Sequence, residues 1–108
     1  MTNAVRRLCL ALTELADDAT CMQADSVPWQ SADLVGERHR IRLCLNGPDA
    51  IANAERLART LPDHEFAISG ILVADIAVTD VNRSHELSTI GLEALTLNDF
   101  VSADPTPG

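Results

Sequence analysis

Residues 38–45, Arg-His-Arg-Ile-Arg-Leu-Cys-Leu, alternate without a break between two kinds of side chain. Successive side chains of a strand point to opposite faces, so this pattern specifies an extended segment with His39, Ile41, Leu43 and Leu45 on one side. Arg38, Arg40, Arg42 and Cys44 take the other side. The chain must therefore build a sheet with a core on one face, and must place three guanidinium groups on the opposite one. That is a demanding requirement in a chain whose eight basic residues are all arginine and whose net charge is -8.

The flanking sequence supplies the helices. From residue 4 to about 22, Val5, Leu8, Leu12, Leu15, Ala19 and Met22 recur at intervals of three and four, the stripe of an amphipathic helix. Its charges oppose the macrodipole, with Arg6 and Arg7 near the positive end and Glu14, Asp17 and Asp18 toward the negative one. Glu14 and Asp18 are also like charges one turn apart. Residues 23–37 read as a connector in which Pro28 breaks a helix, Trp29 folds back over one edge of the core, and a short edge strand lies near Asp33–Val35. After the arginine strand, Asn46-Gly47-Pro48-Asp49 opens a second helix that runs to about Leu61, where Pro62 stops it. Ile51, Ala54, Leu57, Ala58 and Leu61 form its core face, and Glu55 and Arg59 its i,i+4 pair.

Two further strands follow. The first covers about Gly70–Val81 after a bend at Ser69-Gly70, and the second about Leu87–Leu97, joined by the turn Val-Asn-Arg-Ser-His-Glu. Residues 1–101 are expected to form one domain and residues 102–108 a flexible polar tail. The order is α-β-α-β-β. It predicts an α+β fold: a two-layer sandwich of two helices on a three- to four-stranded antiparallel or mixed sheet, a ferredoxin-like variant by topology.

The strand at about Gly70–Val81 poses the problem of the fold. Ile71-Leu-Val-Ala-Asp-Ile-Ala-Val78 is apolar on both faces except for Asp75. Strict alternation puts Ile71, Val73, Asp75 and Ala77 on one face, and Glu93, Leu95 and Leu97 of the last strand join them. Covering four large apolar side chains at ~25 cal/mol per Å² is worth several kcal/mol, so this second face is expected to be covered. Asp75 then needs a cation, most simply Arg42 or Arg40, because a buried unpaired charge is costly. The cover would be the first helix or a second copy of the chain.

Composition excludes several classes of function. An acidic chain repels phosphate backbones and anionic lipid. With no Tyr, one Trp and two Phe, it has little on which bases could stack. Neither nucleic acid nor membrane is an expected partner. The apolar run Leu8–Leu12 is too short for an export signal, and no stretch approaches the ~20 apolar residues of a membrane span. Three cysteines without a CxxC spacing point to free thiols in a reducing, cytoplasmic setting. His39, His64 and His85 show no metal-ligand spacing, and there is no phosphate loop, nucleophile elbow or dinucleotide fingerprint, so no metal or cofactor is expected. No catalytic residue can be named. The one constellation with binding chemistry is Arg40, Arg42, Asp75 and Glu93, with His39 nearby, which could hold a small polar ligand. The same residues serve equally as an internal ion network. The leading expectation is a non-catalytic interaction or regulatory module acting as a homodimer. A small-molecule-binding protein or enzyme is the alternative, and an acidic adaptor engaging a basic protein is a third.

Overall fold

The computed structural model describes residues 3–16, 18–84 and 87–98. Asp17, His85, Glu86, Phe100 and the tail 102–108 lie outside the described residues. The elements are α1 (Asn3–Thr13), β1 (Ala19–Gln30), β2 (Val35–Asn46), α2 (Ala50–Thr60), a 3-10 turn (Leu61–Asp63), β3 (Ile71–Ser84) and β4 (Leu87–Asn98). The strands form one four-stranded sheet in the order β1-β2-β4-β3, and every neighbouring pair is antiparallel. The class is α+β, as expected. The element order is α-β-β-α-β-β rather than α-β-α-β-β, and the sheet is antiparallel throughout. Each half of the chain contributes a helix and then a hairpin. The inner strands β2 and β4 meet at the centre of the sheet.

The extra strand replaces the far half of the expected first helix and the connector after it. A helix continued to Met22 would stack Glu14 on Asp18. Ending at Thr13, the chain instead lets Asp18 Oδ2 accept a hydrogen bond from Asn53 Nδ2 at 3.2 Å, and Asp18 O accept one from the Asn46 N–H at 3.3 Å. From Ala19 onward the residues pair with β2, Cys21 opposite Leu43 and Ala24 opposite Ile41, with Met22 as an extra bulged residue. Pro28 is tolerated because β1 is an edge strand, where a missing N–H deprives no neighbour.

Both helices pack on the same face of the sheet. Val5, Leu8 and Leu12 of α1 and Ala54 and Leu57 of α2 share one core with Ile41, Leu43 and Leu45 of β2 and Ile90 and Leu92 of β4. The α2 core face is rotated from the expected one. Ala50 is buried while Ile51 is 37% exposed, and Glu55 pairs with Arg83 of β3 at 3.2 Å instead of with Arg59. An eleven-residue helix spans only about 16 Å, whereas a twelve-residue strand spans about 40 Å. Phe66 and Ile68, between the 3-10 turn and β3, pack against the core as well.

Strict alternation fails in β3. Its pairing with β4 shifts between Val73 and Asp75 and again between Val78 and Asp80, so Ala74 and Thr79 are inserted residues. Each bulge swaps which face the following residues occupy. Val73, Ile76, Val78 and Val81 all turn toward the helices and pack there, while Leu72, Asp75, Ala77, Asp80 and Asn82 face away. Apart from Leu72 and Ala77, the two-sided apolar run thus becomes a one-sided strand.

The stripe on α1 makes a direct contrast. Leu8→Ala is expected to cost about 2–5 kcal/mol, whereas Leu10→Ala, on the exposed side, should stay within about 0.5 kcal/mol. Urea denaturation of the two variants checks this assignment.

Candidate functional site

The outer sheet face, opposite the helices, gathers most of the chemistry singled out in the sequence. Register places its side chains in rows across the strands. One row runs Gln23, Arg42, Gly91, Asp80. The next runs Asp25, Arg40, Glu93, Ala77, and the third Val27, Arg38, Leu95, Asp75. Two of these rows carry ion pairs, and the third carries none.

In the first row, the Arg42 guanidinium reaches over β4 to β3. Its two terminal nitrogens donate to Asp80 Oδ2 at 3.1 Å and Oδ1 at 3.3 Å. Two strand spacings amount to about 10 Å, and the pair bridges them because Gly91 leaves the intervening position empty. A Cβ built on Gly91 would run into Asp80 Oδ1 and would lie 3.0 Å from Thr79 Oγ1 and 3.1 Å from an Arg42 nitrogen. The glycine is here a gap through which a cross-strand pair is made. The Arg42 hydrogen bonds hold the Asp80 carboxyl below its ordinary range, against a smaller opposing effect of burial, with the Thr79 hydroxyl also donating to it.

Arg40 lies beside Glu93 in the second row, with Nε 3.6 Å from Oε2. The arginine side chain is 79% exposed, so this is a loose, solvated pair of little energetic weight. Asp75 is where the expectation fails. It is exposed and makes no ion pair among the described residues. The bulge at Thr79 brings Asp80, not Asp75, level with Arg42. The Leu95 side chain stands between Asp75 and its own row partner, Arg38. Of the four residues singled out for ligand binding, the fold gathers Arg40, Arg42 and Glu93 around one open groove of about 360 Å³, together with Asp25, Gln23 and Thr79. Asp75 is not among its lining residues.

His39 belongs to the other face. It is 1% exposed, and its ring bridges three strands: Nδ1 lies 2.7 Å from Ser26 Oγ on β1, and Nε2 lies 2.7 Å from Thr96 Oγ1 on β4. A neutral imidazole donates from one nitrogen and accepts at the other, so one hydroxyl accepts from the ring while the other donates to it. Burial lowers its pKa below 6.5, partly countered by the nearby Glu37 carboxylate. Ser26 and Thr96 escape a reading of the sequence because their partner is set by register across three strands. Among the described residues, no three His, Cys, Asp or Glu side chains are grouped so as to share a metal ion. The chain matches no protein-family model, no curated protein and no solved structure.

Two measurements check this geometry. Gly91→Ala is expected to destabilise by about 1–3 kcal/mol through overpacking and to raise the Asp80 carboxyl pKa as Arg42 is pushed away, read by NMR titration. For His39, a lowered folded-state pKa means that the unfolded chain binds more protons once the pH falls below about 6.5. Stability should then drop as the solution is acidified from pH 7, at up to about 1.4 kcal/mol per pH unit, and His39→Gln should flatten that part of the urea-midpoint profile.

Proposed function

We propose that the protein is a small, non-catalytic interaction module that acts as a homodimer, packed through its outer sheet face. The observation that carries this reading is the division of charge on that face. Arg38, Arg40 and Arg42 lie on β2, with Asp25 of β1 the one acid beside them among the described residues, and Asp75, Asp80 and Glu93 lie on β3 and β4. A twofold axis running along the strands within the interface would set the basic half of one copy over the acidic half of the other, an isologous contact.

The charges left over support the same arrangement. Arg38 and Asp75 have no ion pair among the described residues, and they flank Leu95 in one row. In the dimer, Arg38 of one copy meets Asp75 of the other across paired Leu95 side chains. Leu72 is 54% exposed and Val27 57% exposed on this face, and covering them removes apolar area from water. Four strands about 4.8 Å apart and ten residues long present roughly 650 Å², comparable to the ~800 Å² per partner of a standard interface. Association through the edges is disfavoured by Pro28 and the Met22 bulge in β1 and by the two bulges in β3.

A second reading rests on the groove around Arg40, Arg42 and Glu93, whose size and mixed charge suit a small zwitterionic ligand. A thermal-shift screen of small metabolites addresses it. The split crossover β2-α2-β3, with β4 inserted between its strands, is what motivates reading the fold as a ferredoxin-like variant, and that likeness assigns no activity. Three free thiols favour a reducing compartment such as the cytoplasm.

Light scattering at micromolar concentration is expected to give twice the 11.6 kDa chain mass. Arg38→Glu and Asp75→Arg should each shift the protein toward monomer, and the doubly substituted chain should recover the dimer. A strict monomer for the unsubstituted chain, or a charge swap without rescue, would remove the proposal.

A further inference from the structure

We propose that Cys9 and Cys21 form a dithiol site that reacts with low-molecular-weight disulfides, closing a reversible disulfide between α1 and β1. The two sulfurs, one on the helix and one on the edge strand, lie 2.8 Å apart, and both thiols are free. A disulfide needs about 2.05 Å between sulfurs, so bond formation requires the two sulfurs to close by less than about 1 Å. The pair is set up by two features of the fold: α1 stops at Thr13, which lets the chain turn back at once into β1, and the Met22 bulge follows directly after Cys21. Cys44 has no part in it. It pairs with Thr20 and Thr89 on the outer face, on the far side of the sheet from Cys21.

The site is open on one side. A groove of about 310 Å³ runs over the pair, walled by Leu10 and Met22 with Arg6 along its lining. Leu10 is 58% and Met22 57% exposed. The arginine offers a cation to an anionic disulfide such as oxidised glutathione.

The two thiols are not equivalent, and this sets the order of events. Cys9 is 7% exposed. Burial, with its hydrogen bond to Cys21 next in weight, pushes its thiol up to about 12, which keeps it protonated and shields it from direct attack. Cys21 is only half-buried, and its thiol donates to the Gln23 carbonyl at 3.8 Å. Cys21 therefore enters first. It loses its proton, and its sulfur attacks one sulfur of the small disulfide RSSR, forming a Cys21–SR bond and releasing RS⁻, which takes up a proton as RSH. Cys9 then gives its proton to solvent, and its sulfur attacks the Cys21 sulfur. The Cys9–Cys21 bond forms and the second RS⁻ leaves, again as RSH. The protein loses two electrons and two protons, RSSR gains both, and excess RSH reverses the exchange.

The test uses the full chain and oxidised glutathione, followed by alkylation and non-reducing peptide mapping. The expected product is a single intramolecular Cys9–Cys21 link, seen as a mass loss of two hydrogens, reversible by reduced glutathione. Its short loop should raise Tm by about 10 °C. Cys44→Ser should react like the unsubstituted chain, and Cys9→Ser should stop at a stable glutathione adduct on Cys21. A persistent adduct on the unsubstituted chain, a link involving Cys44, or thiols that stay reduced in oxidised glutathione would each overturn the proposal.

Discussion

Two helices of eleven residues can blanket one face of a four-stranded sheet and no more, and the rest of the structure follows from that limit. Every large apolar side chain the strands supply must either reach the helix side or remain on a face that no described element covers. The bulges at Ala74 and Thr79 are how β3 meets this condition. Each inserted residue resets the alternation, so that Val73, Ile76, Val78 and Val81 all turn inward although their spacing is not uniformly two. The bulges lie on an edge strand, where they also blunt open backbone groups that would otherwise invite another chain.

The same register decides which charges find partners. Gly91 opens a path for Arg42 over β4 to Asp80. Leu95, four residues further along β4, closes the equivalent path between Arg38 and Asp75. One row of the outer face therefore satisfies its charges within the chain, and another leaves a cation and an acid on opposite sides of an apolar residue. On the inner face, His39 shows how a polar side chain is accommodated without charge: two hydroxyls from different strands receive the ring, and burial favours its neutral form. Polar groups in this molecule are placed by strand pairing more than by their neighbours in sequence.

That distinction explains what could be read from the chain beforehand. Local periodicity made β2, α2 and β4 legible to within a few residues, because alternation in Arg38–Leu45 and the Asn-Gly-Pro-Asp start of α2 act within a short window. The end of α1 was not legible in the same way. Leu15, Ala19 and Met22 continue a helical stripe, and only the unfavourable positions of Glu14 and Asp18 warned against it. Nor could alternation alone locate the bulges in β3, which depend on what β4 offers opposite them. Counting in twos pairs Asp75 with Arg42 or Arg40, whereas the bulges bring Asp80 level with Arg42. The outer face as a gathering point for Arg40, Arg42 and Glu93 was legible; Gly91 as the gap between Arg42 and its partner was not.

The proposed homodimer makes the outer face the working surface of the protein and covers it with a second copy of the chain. Solvent paramagnetic relaxation of methyl signals tests it most directly, because it reports contact with water side chain by side chain. In such a dimer, Leu95 and Leu97 methyls are expected to be shielded at high protein concentration and to become accessible on dilution, while Leu10, on the helix side, stays accessible throughout. Equal and concentration-independent relaxation of Leu95, Leu97 and Leu10 would contradict it.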